Sequence, residues 1–385
     1  MKFNNESGGV TLATAGKFHA FSLAREFAKL GVLKELIVTD RHLLSPKGVP
    51  QSAYVNRPEL AYWRYAQRFC EVGYTETRKN RIYQEWLVRR LEKSPPGVLH
   101  AWNGNAHMAF TRLAGSGWRR CVERSCPHNR VQYELLREES DRLGLPYLES
   151  KADVERAVEE LYLADIIVTP STYSAASYAD PELSRKVRIN TLGANYPFQE
   201  RKSNDGGLRI LMVGNDFIRK GMHYLIEAFK LIDDPSAELW LRGHIPASYA
   251  KTMKDSRITV IGDIFPAKLK ALYDSVTVFV QPSIDEGFGM TTLEALACGL
   301  PLVITENVGA RDILTDEVAV TVPIRDPEAL ARAIQTARRL PGPAFDAARR
   351  RILEINSWEA CARRMLADVY RDPAAATAVQ LKSPV

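Results

Sequence analysis

Short runs of β-branched and apolar residues alternate with longer segments of helical periodicity along the chain. In the first half, the predicted strands cover residues 10–15, 36–39, 98–102, 120–123 and 166–169. A predicted helix over 20–30 follows the first strand, and its Phe21, Ala24 and Phe27 fall on one face. Strands that alternate with helices are typical of a parallel sheet with crossover helices, so the pattern predicts an α/β fold.

The same alternation returns in the second half of the chain. Its predicted strands cover 209–213, 238–241, 259–261, 276–280 and 302–305, and its predicted helices cover 222–231, 268–273, 291–298 and 327–340, with a last helix from 357. Between the two halves, the segment FQERKSNDGG at 198–207 is polar and ends in two glycines, as linkers often do. No period of about 20–50 residues recurs, which argues against a solenoid.

A chain of 385 residues exceeds what one hydrophobic core usually supports, so two domains are expected. We predict a first Rossmann-like domain over 1–197, a linker over 198–207 and a second Rossmann-like domain over 208–356. A closing helix over 357–372 is expected to pack back on the first domain, followed by a frayed tail over 373–385. Each sheet is predicted to be doubly wound, with the two domains facing each other across a cleft.

Composition narrows the class of protein. A hydrophobic content of 45% with 25% charged residues is ordinary for a globular protein, and the net charge of +6 suits an anionic substrate. The charge would also suit weak attraction to anionic lipid or nucleic acid, but no nucleic-acid-binding module is recognised. Five scattered cysteines without a C-x-x-C pair predict neither disulfides nor a zinc site, and a reducing cytoplasm is expected. The sequence has no secretory signal or spanning segment, so any membrane contact is predicted to be peripheral.

Two loops of the second half follow predicted strands, at the sheet edge where α/β proteins bind ligands. The first lies in VGNDFIRKGMHYLIEAF at 213–229, where Gly214 ends a strand and Arg219 and Lys220 precede Gly221 at a helix start. Two adjacent cations there could neutralise the charge that grows on a departing diphosphate. The alternative is a solvated cation pair at a turn.

The second loop lies in VFVQPSIDEGFGMTTLEALACGLPLVIT at 278–305, where an acidic, glycine-rich segment leads into a helix. Its glycines allow a close approach of the backbone to a ligand, and the amides at the helix start would favour an anion. Glu286 and Glu294 could bracket a ligand, because a carboxylate can accept hydrogen bonds from a ribose diol or from sugar hydroxyls. Alternatively, Glu294 caps its own helix.

The full strings resemble those of the retaining glycosyltransferases of family four, which have the GT-B fold. EGFGMTTLEALACGLPLV is similar to the family segment E-x-G-F-G-x-x-x-x-E-A-x-A-x-G-x-P-V, and the 213–229 string is similar to the family's glycine loop and Lys-Gly helix start. LYDSVTVFVQPS, NTLGANYPF, ADIIVTPS and SWEACARRMLADVY also resemble family elements. The likeness covers nearly all of 208–372, whereas the first half matches only in outline. The resemblance therefore implies that the domain over 1–197 is the acceptor side and that the domain over 208–356 binds the nucleotide sugar.

The resemblance implies that Glu294 holds the nucleotide ribose, Glu286 the donor sugar, and Lys220 with Arg219 the diphosphate. Glu286, His128 and Lys220 are the candidate catalytic residues, His128 as the match to a family histidine that reaches the donor sugar. The expected donor-binding residues are Gly16, Gly214, Asn215, Arg219, Lys220, Gly287, Phe288, Gly289, Met290, Thr291, Thr292 and Glu294. Many family members have an arginine where this chain has Asn215, and Arg219 could replace it.

Candidates in the first half follow a predicted strand and open a helix. Gly16 would let this loop approach the phosphates of the donor, and Lys17 and His19 are acceptor-side candidates. A surface position without a functional role is the alternative for His19. The segment 74–93 predicts a basic amphipathic helix, either an ordinary surface helix or one that rests on anionic lipid.

We therefore expect a glycosyltransferase that moves a sugar from a UDP-, GDP-, ADP- or dTDP-linked donor to a hydroxyl acceptor, a glycan or lipid-linked saccharide. The resemblance implies retention at the anomeric carbon, no metal and no cofactor besides the nucleotide-sugar co-substrate. Alternatives are another GT-B enzyme, such as a sugar-nucleotide epimerase or a phosphorylase, and a catalytically silent sugar-nucleotide or glycan-binding subunit. The expected location is cytoplasmic, with a possible peripheral position at the membrane.

Overall fold

The chain forms two α/β domains, each built on a parallel sheet, in a computed structural model that describes residues 8–16, 19–61, 76–147, 149–200, 207–251, 253–262, 264 and 266–371. This architecture confirms the predicted pair of Rossmann-like domains. Lys17, residues 74–75 of the basic helix, 201–206 of the linker and the tail at 373–385 lie outside the described residues.

In its described part, the first domain carries a seven-stranded parallel sheet in the order β3-β2-β1-β4-β5-β6-β7. Its strands are β1 (Val10–Thr14), β2 (Leu33–Val38), β3 (Tyr54–Asn56), β4 (Val98–Trp102), β5 (Arg119–Glu123), β6 (Ile166–Thr169) and β7 (Val187–Ile189). Every position of β1, β4 and β6 is buried, because helices cover both faces of the sheet. The strand order reverses between β1 and β4, which opens a crevice at their carboxyl ends.

The sequence pattern did not predict the two edge strands of this sheet. β3 and β7 are three residues long and largely half-exposed, so neither forms a hydrophobic run. The helices of the domain are α1 (Ala20–Lys29), α2 (Glu76–Leu91), α3 (His107–Arg112), α4 (Asn129–Leu143), α5 (Lys151–Leu163), α6 (Thr172–Ala176) and α7 (Pro181–Lys186), with a 3-10 turn at Gln51–Ala53.

The second domain carries a six-stranded parallel sheet among its described residues, in the order β10-β9-β8-β11-β12-β13. Its strands are β8 (Arg209–Val213), β9 (Glu238–Arg242), β10 (Ile258–Ile261), β11 (Val278–Gln281), β12 (Leu302–Thr305) and β13 (Ala319–Val322). β13 was not predicted, because it is a short edge strand with half of its positions partly or fully exposed. The central strands β8 and β11 end at the two loops that carry the candidate chemistry.

The helices of the second domain flank this sheet. They are α8 (Met222–Lys230), α9 (Ala247–Ala250), α10 (Pro266–Asp274), α11 (Met290–Ala297), α12 (Pro327–Ala337) and α13 (Pro343–Ile355), with a 3-10 turn at Gly309–Asp312. α14 (Trp358–Arg364) follows and continues as a π-helical turn over Met365–Val369. Among the described helices, none is long and apolar enough to cross a lipid bilayer.

The closing segment returns to the first domain. Trp358 and Cys361 of α14 and the following Tyr370 share a buried cluster with Ala24 and Phe27 of α1. The hydroxyl of Tyr370 also makes a 2.9 Å hydrogen bond with Nδ1 of His100 on β4. The last described helix therefore joins the two domains on the side of the linker.

Candidate functional site

The loop after β8 brings two cations to the carboxyl edge of the second sheet. Lys220 and Gly221 precede α8, and Gly221 has a φ of +64° in the left-handed region. A Cβ on Gly221 would lie 2.0 Å from the carbonyl oxygen of Pro282, so only glycine fits between the two loops. A Cβ on Gly214 would lie 2.8 Å from Cγ of Lys220. The lysine stem therefore packs directly over the end of β8.

The loop after β11 brings Glu286 to these cations. Oε2 of Glu286 accepts a hydrogen bond from Nζ of Lys220 and lies 3.4 Å from Nη1 of Arg219. The side chains of Lys220 and Glu286 are 10% and 11% exposed. Burial works to raise the pKa of Glu286, but the charges of Lys220 and Arg219 lower it overall. Glu286 is therefore an ionised carboxylate held by two cations.

Arg219 is bound by acidic groups on two sides. Its Nε lies 3.4 Å from Oδ2 of Asp216, and its Nη1 donates to the backbone carbonyl oxygen of Asp285 at 3.5 Å. Burial works to lower the pKa of Arg219, but Glu286 raises it overall. The sequence-predicted cations and Glu286 are thus brought together, with Arg219 already paired.

Asn215 contacts a different cation, one that the sequence analysis did not single out. Nη1 of Arg242, at the end of β9, donates a 2.7 Å hydrogen bond to Oδ1 of Asn215. The strand register pairs Val213 with Arg242, and the amide of Gly214 donates to the carbonyl oxygen of Arg242 at 2.9 Å. A guanidinium therefore reaches the loop after β8 from the neighbouring strand.

Glu294 lies inside α11, where it faces the linker side of the cleft. Its Oε1 accepts from Nδ2 of Asn195 at 2.8 Å, and its Oε2 accepts from the hydroxyl of Tyr273 at 3.1 Å. Burial raises the pKa of Glu294, although both hydrogen bonds work in the opposite direction. Each carboxylate oxygen retains a second lone pair for a ligand. Because Glu294 lies beyond the first turn of α11, it does not cap this helix.

At the start of α11, two of the predicted donor residues have partners within the protein. Gly289 caps the helix with a φ of +92°, and the amide of Thr292 donates to its carbonyl oxygen at 2.9 Å. The amide of Thr292 is thus used within the helix, and its hydroxyl donates to the same carbonyl at 2.6 Å. Phe288 is 2% exposed and packs in the hydrophobic core, so its ring has a packing role. The hydroxyl of Thr291 donates to Gln281 at 2.9 Å, and Met290 is half-buried beside it.

Residues of the first domain contact the acidic loop that carries Glu286. A Cβ on Gly287 would lie 1.9 Å from the backbone oxygen of Ser125, and the hydroxyl of Ser171 donates to the carbonyl of Gly287 at 2.6 Å. The sequence analysis missed Asp285, which accepts from the hydroxyl of Tyr173 at 2.8 Å and from Nε2 of Gln132. Burial raises the pKa of Asp285. Its only sequence signal is its position next to Glu286.

His19 is enclosed within the first domain. Its ring is 8% exposed, stacks on Trp358 with a centroid distance of 5.6 Å, and its Nε2 pairs with Oε1 of Glu123. Nε2 of His100 lies 3.0 Å from the other oxygen of Glu123. Burial works to raise the pKa of Glu123, but the two histidines lower it overall. His19 is thus a buried histidine, paired with Glu123 and stacked on Trp358, and not the exposed surface residue of the alternative prediction.

His128 caps the start of α4. Its Nδ1 accepts from the amide of Arg130 at 3.3 Å, and its ring packs edge-on against Tyr178. Burial, followed by Arg130 and Arg124, lowers the pKa of His128 to about 4. Among the described residues, His128 makes no hydrogen bond or ring contact with the Lys220–Glu286 pair. The structure thus does not bring it into contact with the other catalytic candidates.

The loop after β1 is described only in part. The amide of Gly16 donates to Oγ1 of Thr14 at 3.2 Å, which turns the chain at the strand end. Lys17, the other candidate of this loop, lies outside the described residues. In the described part of the chain, no group of three or more His, Cys, Asp or Glu side chains could hold a metal ion.

Part of the chain matches a known protein family and curated proteins. Residues 207–338 match the model of the family described as glycosyl transferases group 1. An uncharacterized glycosyltransferase of Methanocaldococcus jannaschii is 29% identical over 177 residues, which cover 42% of this chain and 44% of that protein. The glycogen synthase of Mycobacterium tuberculosis is matched over 45% of its length. The chain therefore spans less than half of the length of these curated relatives.

Similarity of fold extends over nearly the whole chain. The sucrose-phosphate synthase of Thermosynechococcus elongatus superposes with a TM-score of 0.73 at 19% identity, covering 96% of this chain and 100% of that one. The Anabaena protein HepE in complex with UDP-glucose gives a TM-score of 0.63 at 15% identity over 93% of this chain and 97% of that one. These solved structures establish the GT-B fold. The part of the chain that carries Lys220, Glu286 and Glu294 is the part that matches the model of the glycosyl transferases group 1 family.

Proposed function

We propose that this chain is a glycosyltransferase that moves a sugar from a nucleotide diphosphate sugar to a hydroxyl acceptor with retention of configuration. The observation that carries the proposal is the buried contact of Lys220 with Glu286. A second buried carboxylate, Glu294, lies in α11, the helix that follows the Glu286 loop. The match of residues 207–338 to the model of the glycosyl transferases group 1 family supports the class of reaction. The solved HepE complex with UDP-glucose supports a nucleotide sugar as the donor class.

The donor would lie across the carboxyl edge of the second sheet. Lys220 would bind the diphosphate, the free lone pairs of Glu294 would accept from the ribose hydroxyls, and Glu286 would accept from the sugar hydroxyls. In this pose, each member of the ion pair exchanges its partner for a part of the donor: Lys220 binds the diphosphate and Glu286 binds the sugar hydroxyls. The same groups are thus stabilised in the empty protein and in the complex.

The reaction would proceed on one face of the sugar. The acceptor oxygen attacks the anomeric carbon from the side that the diphosphate leaves, and the electron pair of the broken carbon–oxygen bond goes to the phosphate oxygen. That oxygen then takes the proton of the acceptor hydroxyl. Lys220 stabilises the charge that develops on the diphosphate, in a site where the lysine is already desolvated. Glu286 is held by two cations, which makes it a poor nucleophile and favours direct transfer.

We also propose that the reaction needs no metal ion, because Lys220 and the guanidinium groups of the same edge supply positive charge at the phosphates. The acceptor is proposed to be a glycan or a lipid-linked saccharide that binds between the domains.

Donor screening and product analysis test the proposal together. Melting temperatures would be measured with UDP, GDP, ADP and dTDP sugars, and the donor that stabilises the chain would then be assayed for transfer and hydrolysis with and without a chelator. The anomeric configuration of the product would be read by NMR. Glu294→Ala should weaken donor binding, and Glu286→Ala should lower turnover. Wild-type rates in both variants would reject the site, and binding without turnover on any acceptor would favour a silent binding subunit.

A further inference from the structure

Glu160 of α5 is a buried acidic residue that takes no part in the proposed reaction steps. It is 1% exposed, and its Oε1 accepts a hydrogen bond from the backbone amide of Gly104 at 3.0 Å. Its Oε2 accepts one from the amide of Ala106, also at 3.0 Å. Both amides belong to the loop after β4, so the carboxylate holds this loop on either side of Asn105.

Asn105 links this loop to the one that follows β1. Its Oδ1 accepts from the amide of Ala15 at 3.1 Å, and its Nδ2 donates to the carbonyl oxygen of Trp102 at 3.0 Å. Since Oδ1 can only accept and Nδ2 can only donate, the two contacts fix the orientation of the side chain. The hydroxyl of Thr39 donates to the carbonyl oxygen of Ala15 at 2.7 Å, so Ala15 is held at both of its backbone polar groups.

The contact between Asn105 and Ala15 lies at the switch point of the first sheet. β1 and β4 pair in parallel, and the strand order reverses between them. Ligands of α/β proteins bind at the carboxyl ends of such strands. Gly16 follows Ala15 directly, and its amide turns back to Thr14. Through Asn105, Glu160 therefore acts on the point where the chain enters the loop of Gly16.

The hold of Glu160 on the loop after β4 depends on its ionisation. An ionised carboxylate accepts at both oxygens, whereas a proton on one oxygen opposes the amide N–H that points at it. Burial raises the pKa of Glu160 to about 7, although the hydrogen bonds that it accepts from the loop work in the opposite direction. The carboxyl group therefore changes its charge near neutral pH.

The surroundings of Glu160 do not supply a cation as its partner in the described part of the chain. A cavity of about 300 Å³ reaches the carboxyl group and gives it access to protons from solvent. Arg156 pairs with Asp153 at 3.2 Å, and His107 pairs with Glu159 at 3.2 Å. Backbone amides therefore compensate the charge of Glu160. The charged or titratable groups around the carboxyl group are Tyr83 of α2, His107 of α3, Glu149 before α5, and Asp153 and Arg156 of α5.

We propose that Glu160 is a positioning residue of the transfer reaction. Its ionised carboxylate fixes the loop after β4, and Asn105 of this loop holds the entrance to the Gly16 loop in the geometry that transfer needs. The inference rests on the proposed function, since Gly16 belongs to the proposed donor site. Glu160 acts through Asn105 in this role and contacts neither donor nor acceptor. A displacement of about 1 Å in a site loop can lower turnover by about 100-fold, so a remote carboxylate can control the rate.

The first test is the pH dependence of turnover, with the donor that stabilises the wild-type chain. In Glu160→Gln the amide nitrogen cannot accept, so one loop amide loses its partner at every pH. We expect wild-type turnover to rise about tenfold or more from about pH 5.5 to about pH 8.5, with an apparent pKa of about 7. Glu160→Gln should stay near the acidic wild-type level throughout. Glu159→Gln, which changes the neighbouring acid with a 66% exposed side chain, is the control and should keep the wild-type profile.

A second variant breaks the link at its other end and leaves Glu160 intact. Asn105→Ala should lower turnover and should also remove its rise with pH, because the ionisation of Glu160 no longer reaches Ala15. This variant decides the question if Glu160→Gln folds poorly. A rise of the wild-type size in either variant, or wild-type turnover without an ionisation at about pH 7, overturns the inference.

Amide hydrogen exchange, followed by mass spectrometry, tests the same link without any substrate. The amides of Ala15, Gly104 and Ala106 should exchange about tenfold faster in Glu160→Gln than in wild type at about pH 8. The difference should shrink to about twofold at about pH 5.5, where the wild-type carboxyl group is protonated as well. Equal exchange at both pH values overturns the inference, whether or not the chain transfers sugar. If exchange differs as expected but the wild-type chain transfers no sugar from any of the four donors, the proposed function is rejected and the placement of the loop by Glu160 stands.

Discussion

Replacement of Glu286 by glutamine should change stability and ligand affinity in opposite directions. Glutamine keeps the size of the side chain and an acceptor oxygen, but it removes the negative charge that holds Lys220 and lies 3.4 Å from Arg219. In the empty protein, Lys220 then becomes a buried cation without a charged partner, whereas Arg219 keeps Asp216. A bound diphosphate would fill this charge gap.

The effect on the empty protein follows from the burial of the pair. Removal of one partner of a buried ion pair costs about 3–5 kcal/mol when the remaining charge has no other compensation. Both side chains retain about a tenth of their exposure and the amide oxygen still accepts a hydrogen bond, so we expect about 2–3 kcal/mol. This corresponds to a fall of about 5–10 °C in the melting temperature of a domain of this size.

The effect on affinity has the opposite sign. A phosphate on Lys220 would stand about 6 Å from the Glu286 carboxylate, and two unit charges at this distance repel by about 3 kcal/mol at an effective dielectric constant of about 20. With partial screening in the open cleft, Glu286→Gln should bind a nucleoside diphosphate about 5- to 30-fold more tightly. Turnover should still fall by about 100-fold or more, because the sugar loses its carboxylate.

Three measurements decide the outcome, namely thermal melting without ligand, calorimetry with the nucleoside diphosphate, and turnover of the full donor. A diphosphate affinity that falls together with turnover would refute the idea that Glu286 competes with the phosphates for Lys220. Glu328→Gln, on the exposed side of α12, is the matched control and should leave all three quantities unchanged.

Three further predictions concern the surroundings of the site. Asn195→Ala should raise the pKa of Glu294 further, because a hydrogen bond to its charged form is lost, so nucleoside affinity should fall more at about pH 5.5 than at about pH 8 in calorimetric titrations. The pKa of His128 is lowered to about 4, so the unfolded chain binds a proton that the folded chain does not, and stability should fall as the pH drops from about 6.5 toward 4. His128→Gln should flatten this pH dependence in denaturant unfolding. Gly287→Ala places a Cβ 1.9 Å from the backbone of Ser125, so it should destabilise the closed cleft by about 1–3 kcal/mol, measured by thermal melting.

Site residues whose position depends only on their neighbours along the chain could be predicted from the sequence. The loop after β11, its glycines and the helix that follows are one continuous string, and the position of Glu286 follows from the end of a buried strand and the start of α11. Lys220 is placed in the same way by β8 and Gly221. In parallel α/β sheets, the carboxyl ends of neighbouring strands meet at one edge, so two such loops must approach each other.

Contacts between distant segments could not be predicted in this way. His19 follows a strand and opens a helix, as a ligand contact would, yet its partner Glu123 is 104 residues away and its ring stacks on Trp358 from the far end of the chain. Arg242 was overlooked because a cation at the end of an ordinary amphipathic strand carries no signal until β9 is known to pair with β8. The edge strands β3 and β7 were missed because half-exposed triplets have no hydrophobic run.

A hydrogen-bond chain through Asn195 makes the position of Glu294 depend on the arrangement of the two domains. Nε1 of Trp358, which packs on the first domain, donates to Asn195 at 3.0 Å, and Asn195 donates to Glu294 at 2.8 Å. An indole can only donate and a carboxylate can only accept, so the amide between them has one possible orientation and transmits the position of one domain to the other.

A second contact across the cleft fixes the same arrangement from the opposite side. Glu139 of α4 is fully buried and accepts hydrogen bonds from His223 at 3.0 Å, Tyr224 at 2.7 Å and Arg325 at 2.7 Å, all in the second domain. Burial works to raise the pKa of Glu139, but these hydrogen bonds lower it to about 2, so the carboxylate is charged. Separation of the domains would leave Glu139 without these three partners and Glu294 without Asn195, although Glu294 would keep Tyr273. A donor that binds Glu294 in its present orientation therefore stabilises the closed cleft, in which the acceptor must meet the sugar.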